Sequence, residues 1–148
     1  MVDRTPHSNV ELLRAVYADF RLLNEFARQD MVLHAAGSRG ILTGDYVGKQ
    51  AVLARVLELY RRSGGSLVLS ADDIVANDHF GVVLGRLAAN RAGRRLEGEV
   101  CGVWRFQDGL IVEHWENCAD WPAAERFLID EFDEEADAEP ADARHSTG

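Results

Sequence analysis

One dipeptide, Asp108-Gly109, constrains this chain more than any other two residues. Glycine takes a positive φ without a Cβ clash, so the pair marks a tight two-residue turn. The flanks, Val100 to Phe106 and Leu110 to Trp115, are rich in β-branched and aromatic residues, which favour a pleated, half-buried surface. The stretch from Gly98 to Asp120 therefore reads as a β-hairpin. It carries two Trp, a His, two Glu and a closing Asp near one end, and we expect it to form the floor and mouth of a small-molecule pocket. Side chains alternate between faces along a strand. Val100, Gly102, Trp104 and Phe106 thus share one face, opposite Cys101, Val103 and Arg105. On the second strand His114, Glu116 and Cys118 lie together, opposite Glu113, Trp115 and Asn117.

The rest of the chain supplies what packs on that hairpin. Ser8, with Glu11 three residues later, has the form of a capping box. Leu13, Val16, Tyr17, Phe20, Leu23 and Ala27 follow at helical spacing, with a break expected near residues 21–24. Residues 30–35 read as a short strand holding His34. Residues 36–47, with three glycines, read as a loop with limited β structure. A helix is expected over 49–62, burying Val52, Leu53, Val56, Leu57 and Tyr60 and ending at Gly64-Gly65. The hydrophobic period then switches to two, giving strands over 66–76, 80–90, 94–106 and 110–118 in an antiparallel meander. Asp120, followed by Pro122, starts a closing helix that runs to about residue 132.

Composition sets the outer limits. The 148 residues, 47% of them hydrophobic, make one domain with a real core. The formal net charge is −9, but residues 130–148 hold −7 of it. That segment reads as a solvated acidic tail with too little apolar content to fold. No basic stripe suits nucleic acid. No apolar run approaches the roughly 20 residues of a membrane span. The first residues, MVDRTPHSN, lack the apolar core of a secretory leader. Two cysteines, Cys101 and Cys118, suit reduced thiols, so a cytoplasmic location is expected. No cofactor is expected, and the histidines lack the spacing of a metal site.

Four segments carry a family resemblance: DMVLH at 30–34, TG-x-x-x-GKQAVLA at 43–54, VANDHFGVVLGRLAANRAGRRLEG at 75–98, and VWRFQDGLIVEHWENCAD at 103–120. In these the chain resembles the SnoaL-like branch of the nuclear transport factor two superfamily, over roughly residues 8–132, with 133–148 left as the tail. The resemblance implies an α+β fold of the cystatin-like kind. A cone-like barrel of curved antiparallel sheet would pack against N-terminal helices around a pocket. It also implies where each known chemistry of the superfamily would sit. A ketosteroid isomerase would need carboxyls near Ala35 and Gly102, and both are missing. An epoxide hydrolase would need an Asp-Arg-Asp set, for which Arg86 is a cation without placed carboxylates. A polyketide cyclase uses a carboxylate near the mouth, where Asp120 falls.

His114 and His34 are the expected proton carriers, since imidazole titrates near neutral pH, with Glu116 and Asp120 as acid/base or orienting groups. Each also has a plain structural reading: His34 as a rim histidine, Glu116 as a solvated strand end, Asp120 as a helix cap. Trp104, Tyr17, Cys118 and Arg86 are the expected ligand contacts. Three function classes stay open: a general acid/base isomerase or cyclase acting on a hydrophobic carbonyl compound, a non-catalytic binder of an apolar molecule, and a dimeric interaction domain. A homodimer is expected through the outer face of the long strands, where Val103 points.

Overall fold

A computed structural model describes the backbone of residues 6–145 and the side chains through residue 138. Helix α1 (Ser8–Ala18) buries Leu13, Val16 and Tyr17, one stripe of a helical surface. Its cap is His7 rather than Ser8: the His7 Nδ1 accepts from the Asn9 amide at 3.0 Å. The ring nitrogen does the work expected of the serine hydroxyl, one residue earlier. The expected break follows as a single 3₁₀ turn (Phe20–Leu22), and then the short helix α2 (Leu23–Phe26).

Strand β1 (Ala27–Ala36) is longer than expected, and β2 (Thr43–Val47) turns back on it. Helix α3 (Lys49–Arg62) has the expected bounds but a different buried face. Leu57 and Tyr60 are 60% and 51% exposed, whereas Lys49 and Arg55 are buried with Val52. Both cations are satisfied inside: the Lys49 ammonium donates to the carbonyls of Asn24 and Ala27, and Arg55 meets a carboxylate and a carbonyl described below. A fully hydrogen-bonded charge can occupy a position that apolar periodicity assigns to leucine.

Strands β3 (Val68–Ala76), β4 (Phe80–Arg91), β5 (Arg94–Gln107) and β6 (Leu110–Cys118) form the meander. The sheet order is β2-β1-β6-β5-β4-β3. All neighbours are antiparallel except β1 and β6, which run parallel. The expected antiparallel sheet is thus mixed, because the early strand docks beside the last one. It also stays open, with β2 and β3 as its edges.

The turns of the β4–β5 and β5–β6 hairpins are alike. Ala92-Gly93 and Asp108-Gly109 both have positive φ at each central residue, the type I′ pattern that matches strand twist. Beyond the second turn the pairing slips: Phe106 faces Ile111 but Arg105 faces Glu113, so Val112 is an extra residue in β6. Such a bulge bends its strand and resets side-chain parity.

Asp120 caps helix α4 (Trp121–Glu125), accepting from the Ala123 amide at 3.1 Å. A π turn (Arg126–Asp130) leads into helix α5 (Glu131–His145). Of the segment expected to be an unfolded tail from residue 133 to 148, residues 133–145 are helical, and 146–148 lie outside the described residues. Arginines of the domain hold the first turns of α5: Glu135 lies 2.6 Å from Arg91, Glu131 3.1 Å from Arg94 and Asp133 3.6 Å from Arg62. Acidic residues also favour a helix N-terminus. Two apolar clusters fill the domain. One gathers α1, β1 and the sheet centre around Leu13, Met31, Val83 and Trp104. The other gathers Leu42, Leu96, Phe127 and Leu128 under the C-terminal helices.

Ala92 holds a φ of 50°, a region where a Cβ costs roughly 1–2 kcal/mol and which asparagine tolerates better. Ala92→Asn should raise the melting temperature by about 2–4 °C, read by a thermal unfolding scan. An unchanged or lower value would contradict the turn geometry.

Candidate functional site

The site is built where β5 and β6 face the helices. Trp104 pairs with His114, Gly102 with Glu116 and Val100 with Cys118. These pairs share the inner face, as strand alternation requires. Tyr17 arrives from α1, and its hydroxyl accepts from the Trp104 indole N–H at 3.3 Å. The Trp104 and His114 rings meet edge to face at 3.5 Å. Gly102 makes this convergence possible. A Cβ there would lie 2.4 Å from the Tyr17 hydroxyl, 2.9 Å from the Trp104 Nε1 and 3.2 Å from the His114 Cε1. The missing side chain is the space in which three ring groups meet.

Helix α3 adds the charge. The Arg55 guanidinium donates two bonds to the Glu116 carboxylate, at 2.9 and 2.7 Å, and a third to the Ile41 carbonyl at 2.9 Å. Its flat face lies 5.1 Å from the Tyr46 ring centre. Arg55 is almost fully buried and Glu116 partly so. A fork of this kind suits arginine and not lysine. Burying two ions is expensive, and removing one partner of such a pair costs about 3–5 kcal/mol because the other is left uncompensated.

His114 is 4% exposed, and its Nδ1 has no hydrogen-bond partner. Burial foremost, then the Arg55 charge, push its pKa down from 6.5 to about 3. The ring is a neutral imidazole at physiological pH, with a lone pair or a proton free at Nδ1. Burial pushes the Tyr17 pKa up, so that hydroxyl stays protonated. Its oxygen already accepts from Trp104, and its own proton is free to be donated.

These groups line a cavity of two lobes. The larger, about 610 Å³, lies among α1, α3 and the sheet, and opens past Asp19, Arg21, Leu57, Tyr60 and Val68. The smaller, about 80 Å³, lies under Trp121, Ala124 and Leu128. The large lobe alone falls in the size range of ligand pockets, roughly 300–1,000 Å³.

The sequence candidates divide cleanly. His114, Glu116, Trp104, Tyr17 and Cys118 reach the cavity. Glu116 does so as the partner of Arg55, not as an orienting group for His114. His34, Arg86 and Asp120 do not reach it. His34 sits on the opposite face of the sheet, between Asp45 at 2.7 Å and Glu113 at 2.5 Å, stacked on Trp115. Burial opposes its charge, yet the two carboxylates prevail and its pKa is raised; the same bond lowers that of Glu113. Parity explains the placement, since His34 pairs with Trp115, an outward residue. Arg86 is also outward, bound to Asp72 at 3.2 Å. Asp120 is exposed and occupied as a helix cap. Arg55 went unread. Its signal was a cation three residues after Val52, on the stripe of α3 that faces the sheet.

Among the described residues, no group of three or more His, Cys, Asp or Glu side chains is placed to hold a metal ion. No helix among them is long and apolar enough to cross a membrane. The family model described as a SnoaL-like domain matches residues 12–114. No curated protein matches the chain significantly. Among solved structures, the chain is similar to Bal32a from a soil-derived mobile gene cassette, at 26% identity and a TM-score of 0.74, over 81% of this chain and 95% of that one. A protein of cystatin-like fold from Xanthomonas campestris is 22% identical, with a TM-score of 0.69 over 82% and 92% of the two chains. A protein assigned as a SnoaL-like polyketide cyclase, from Jannaschia sp. CCS1, is 15% identical, with a TM-score of 0.70 over 86% and 97%. The last two likenesses are of fold.

The buried imidazole has a stability signature. The unfolded chain protonates this residue near pH 6.5, the folded chain only near pH 3. Between those values the unfolded state binds more protons, so stability falls as pH falls, by up to ~1.4 kcal/mol per pH unit. His34 has the opposite sign, its contribution being lost as pH rises through its raised pKa. It is common to wild type and variant, and cancels in a comparison. His114→Phe keeps a ring against Trp104 and loses no hydrogen bond at Nδ1. It should melt no lower than wild type at pH 7.5 and lose stability less steeply from pH 6.5 to 5. Parallel curves in chemical denaturation across that range would show that His114 is not buried neutral.

Proposed function

This chain belongs to the SnoaL-like domain family, and we propose that its cavity is an acid/base site for an apolar carbonyl compound. The observation that carries the reading is the buried, unpartnered Nδ1 of His114 beside a protonated tyrosine whose oxygen already accepts a bond. One group is free to take a proton and the other to give a hydrogen bond. The carbonyl oxygen would accept from the Tyr17 hydroxyl. His114 Nδ1 would take a proton from the adjacent carbon, and the electron pair of that C–H bond would move to the oxygen as an enolate. The Tyr17 hydroxyl favours the enolate over the ketone, the differential binding that lowers a barrier. The proton then returns to carbon, at the same atom or at a conjugated one, or the enolate attacks a second carbonyl of the same molecule.

The low basicity of His114 is consistent with this cycle. An imidazolium in this site is unfavourable on its own and is offset only while an anion stands beside it, so the proton is returned readily. The mostly apolar lining supports a hydrophobic substrate. A ligand that binds and exchanges no proton would instead indicate a binding domain. With α-tetralone in deuterium oxide, wild type should speed deuterium uptake beside the carbonyl, read by mass spectrometry. His114→Ala should lower that rate by at least ~10²-fold, and Tyr17→Phe by a comparable factor. A rate equal to buffer alone, with the ketone bound, would sink the catalytic reading.

A second reading concerns the other face of the sheet, which we propose pairs with a second copy of the chain. Val75, Val82, Val103 and Trp115 lie in register across β3, β4, β5 and β6. Leu84 beside them is 50% exposed. Among the charges flanking this row, Arg86 is paired with Asp72 and Arg105 with Glu113, while Asp73, opposite Leu84, is exposed. What remains for a partner is an apolar band that matches itself under two-fold symmetry. Light scattering should give twice the 16.4 kDa chain mass, and Leu84→Lys should reduce it to one. A monomeric wild type at high micromolar concentration would overturn this.

A further inference from the structure

Three polar side chains, His114, Glu116 and Tyr17, stand between the lobes of the cavity, not at an end. All three border both the 610 Å³ lobe and the 80 Å³ lobe. Past them, the small lobe is walled by Leu87, Leu96, Val100, Cys118, Trp121 and Leu128. Cys101 and Asn117 also border it, but strand parity turns their side chains to the opposite face. The Cys118 thiol is kept neutral by burial, which raises its pKa. Since roughly 10–15 Å³ of such space holds one water, the lobe has room for several heavy atoms in a row.

The other end is largely apolar too, since the two charges at the mouth, Asp19 and Arg21, are bonded to each other. Leu57, Tyr60 and Val68, at the mouth of the large lobe, are 60%, 51% and 56% exposed. Both oxygens of Glu116 are engaged by Arg55, so the junction has no free carboxylate for a cationic end group.

Resting on the carbonyl-site reading above, we infer that the ligand carries its polar group between two apolar arms, the shorter one filling the small lobe. A ligand with a terminal polar group would leave that lobe empty or drive the polar end into carbon. A ligand with an internal ketone sets its oxygen at Tyr17 and its α-carbon at His114 while both arms leave water. The small lobe is then a ruler for the short arm, and Leu96 and Cys118 set its length.

Three isomeric ketones of equal carbon number test this: methyl nonyl, propyl heptyl and dipentyl ketone. Each is titrated against wild type preloaded with the neutral reporter N-phenyl-1-naphthylamine, and its displacement is followed by fluorescence. Propyl heptyl ketone should bind about tenfold tighter than methyl nonyl ketone, as two more buried methylenes predict. Cys118→Leu, which shortens the lobe, should bring that ratio near one with little change for methyl nonyl ketone. Leu96→Ala, which lengthens it, should move the optimum to dipentyl ketone. Thermal melts confirm that each variant is folded; if one is not, the other and the wild-type series decide. Equal affinity for all three isomers in wild type, or ratios unmoved by a folded variant, overturns the inference and leaves the carbonyl site standing. Failure of every ketone to displace a bound reporter overturns the carbonyl site itself.

Discussion

One extra residue, Val112, decides which face of β6 carries His114 and Glu116. Counted straight from the Asp108-Gly109 turn, with Gln107 opposite Leu110, the ladder would set His114 against Val103, on the outer face. The bulge instead sets His114 against Trp104 and Glu116 against Gly102. Ile111 and Val112 are both buried as a result, since parity resets between them. The β1 pairing shows an irregularity at the same level, where Ala27 faces Ile111 and Val32 faces Glu113. The sheet bends here, and the cavity lies on the inner side of that bend.

Given that parity, polar satisfaction accounts for the rest of the interior. Two charges from α3 are buried, and each is hydrogen-bonded: Lys49 to two carbonyls, Arg55 to a carboxylate and a carbonyl. His114 differs in kind, because its Nδ1 meets nothing. Buried polar groups nearly always have partners, and an exception calls for an explanation. A neutral imidazole, desolvated and disfavoured as a cation by Arg55, faces the space at Gly102.

The four long strands and the α3 bounds were readable because turn chemistry and hydrophobic periodicity act locally, while β2 was hidden in a stretch read as a loop. The pocket face of β5 and β6 was readable through the family resemblance; the bulge leaves no clear mark in LIVEHW, where apolar residues run together. His34 was misplaced because it lies among apolar neighbours in sequence, while in space Asp45 and Glu113 hold it on the outer face. Arg55 was missed because its partner, Glu116, lies 61 residues away. The helix beyond residue 133 was missed for the same reason: its acids are held by arginines of α3 and the β4–β5 hairpin.

The parallel contact of β1 with β6 bears on how the molecule comes to exist. As the chain leaves the ribosome, β1 emerges with only β2 to pair with, and its permanent neighbour is made some 80 residues later. The β3-β4-β5 meander can form meanwhile from adjacent hairpins, whose loop closures are short. Strand β6 arrives after all the others and takes the centre of the sheet. Its insertion joins two halves that were separate until then, a non-local step of the sort that makes folding slow. His114 and Glu116 ride on that strand. The polar centre of the cavity is therefore assembled only when β6 docks, and a nascent chain lacking β6 has part of the wall of the larger lobe but not that centre.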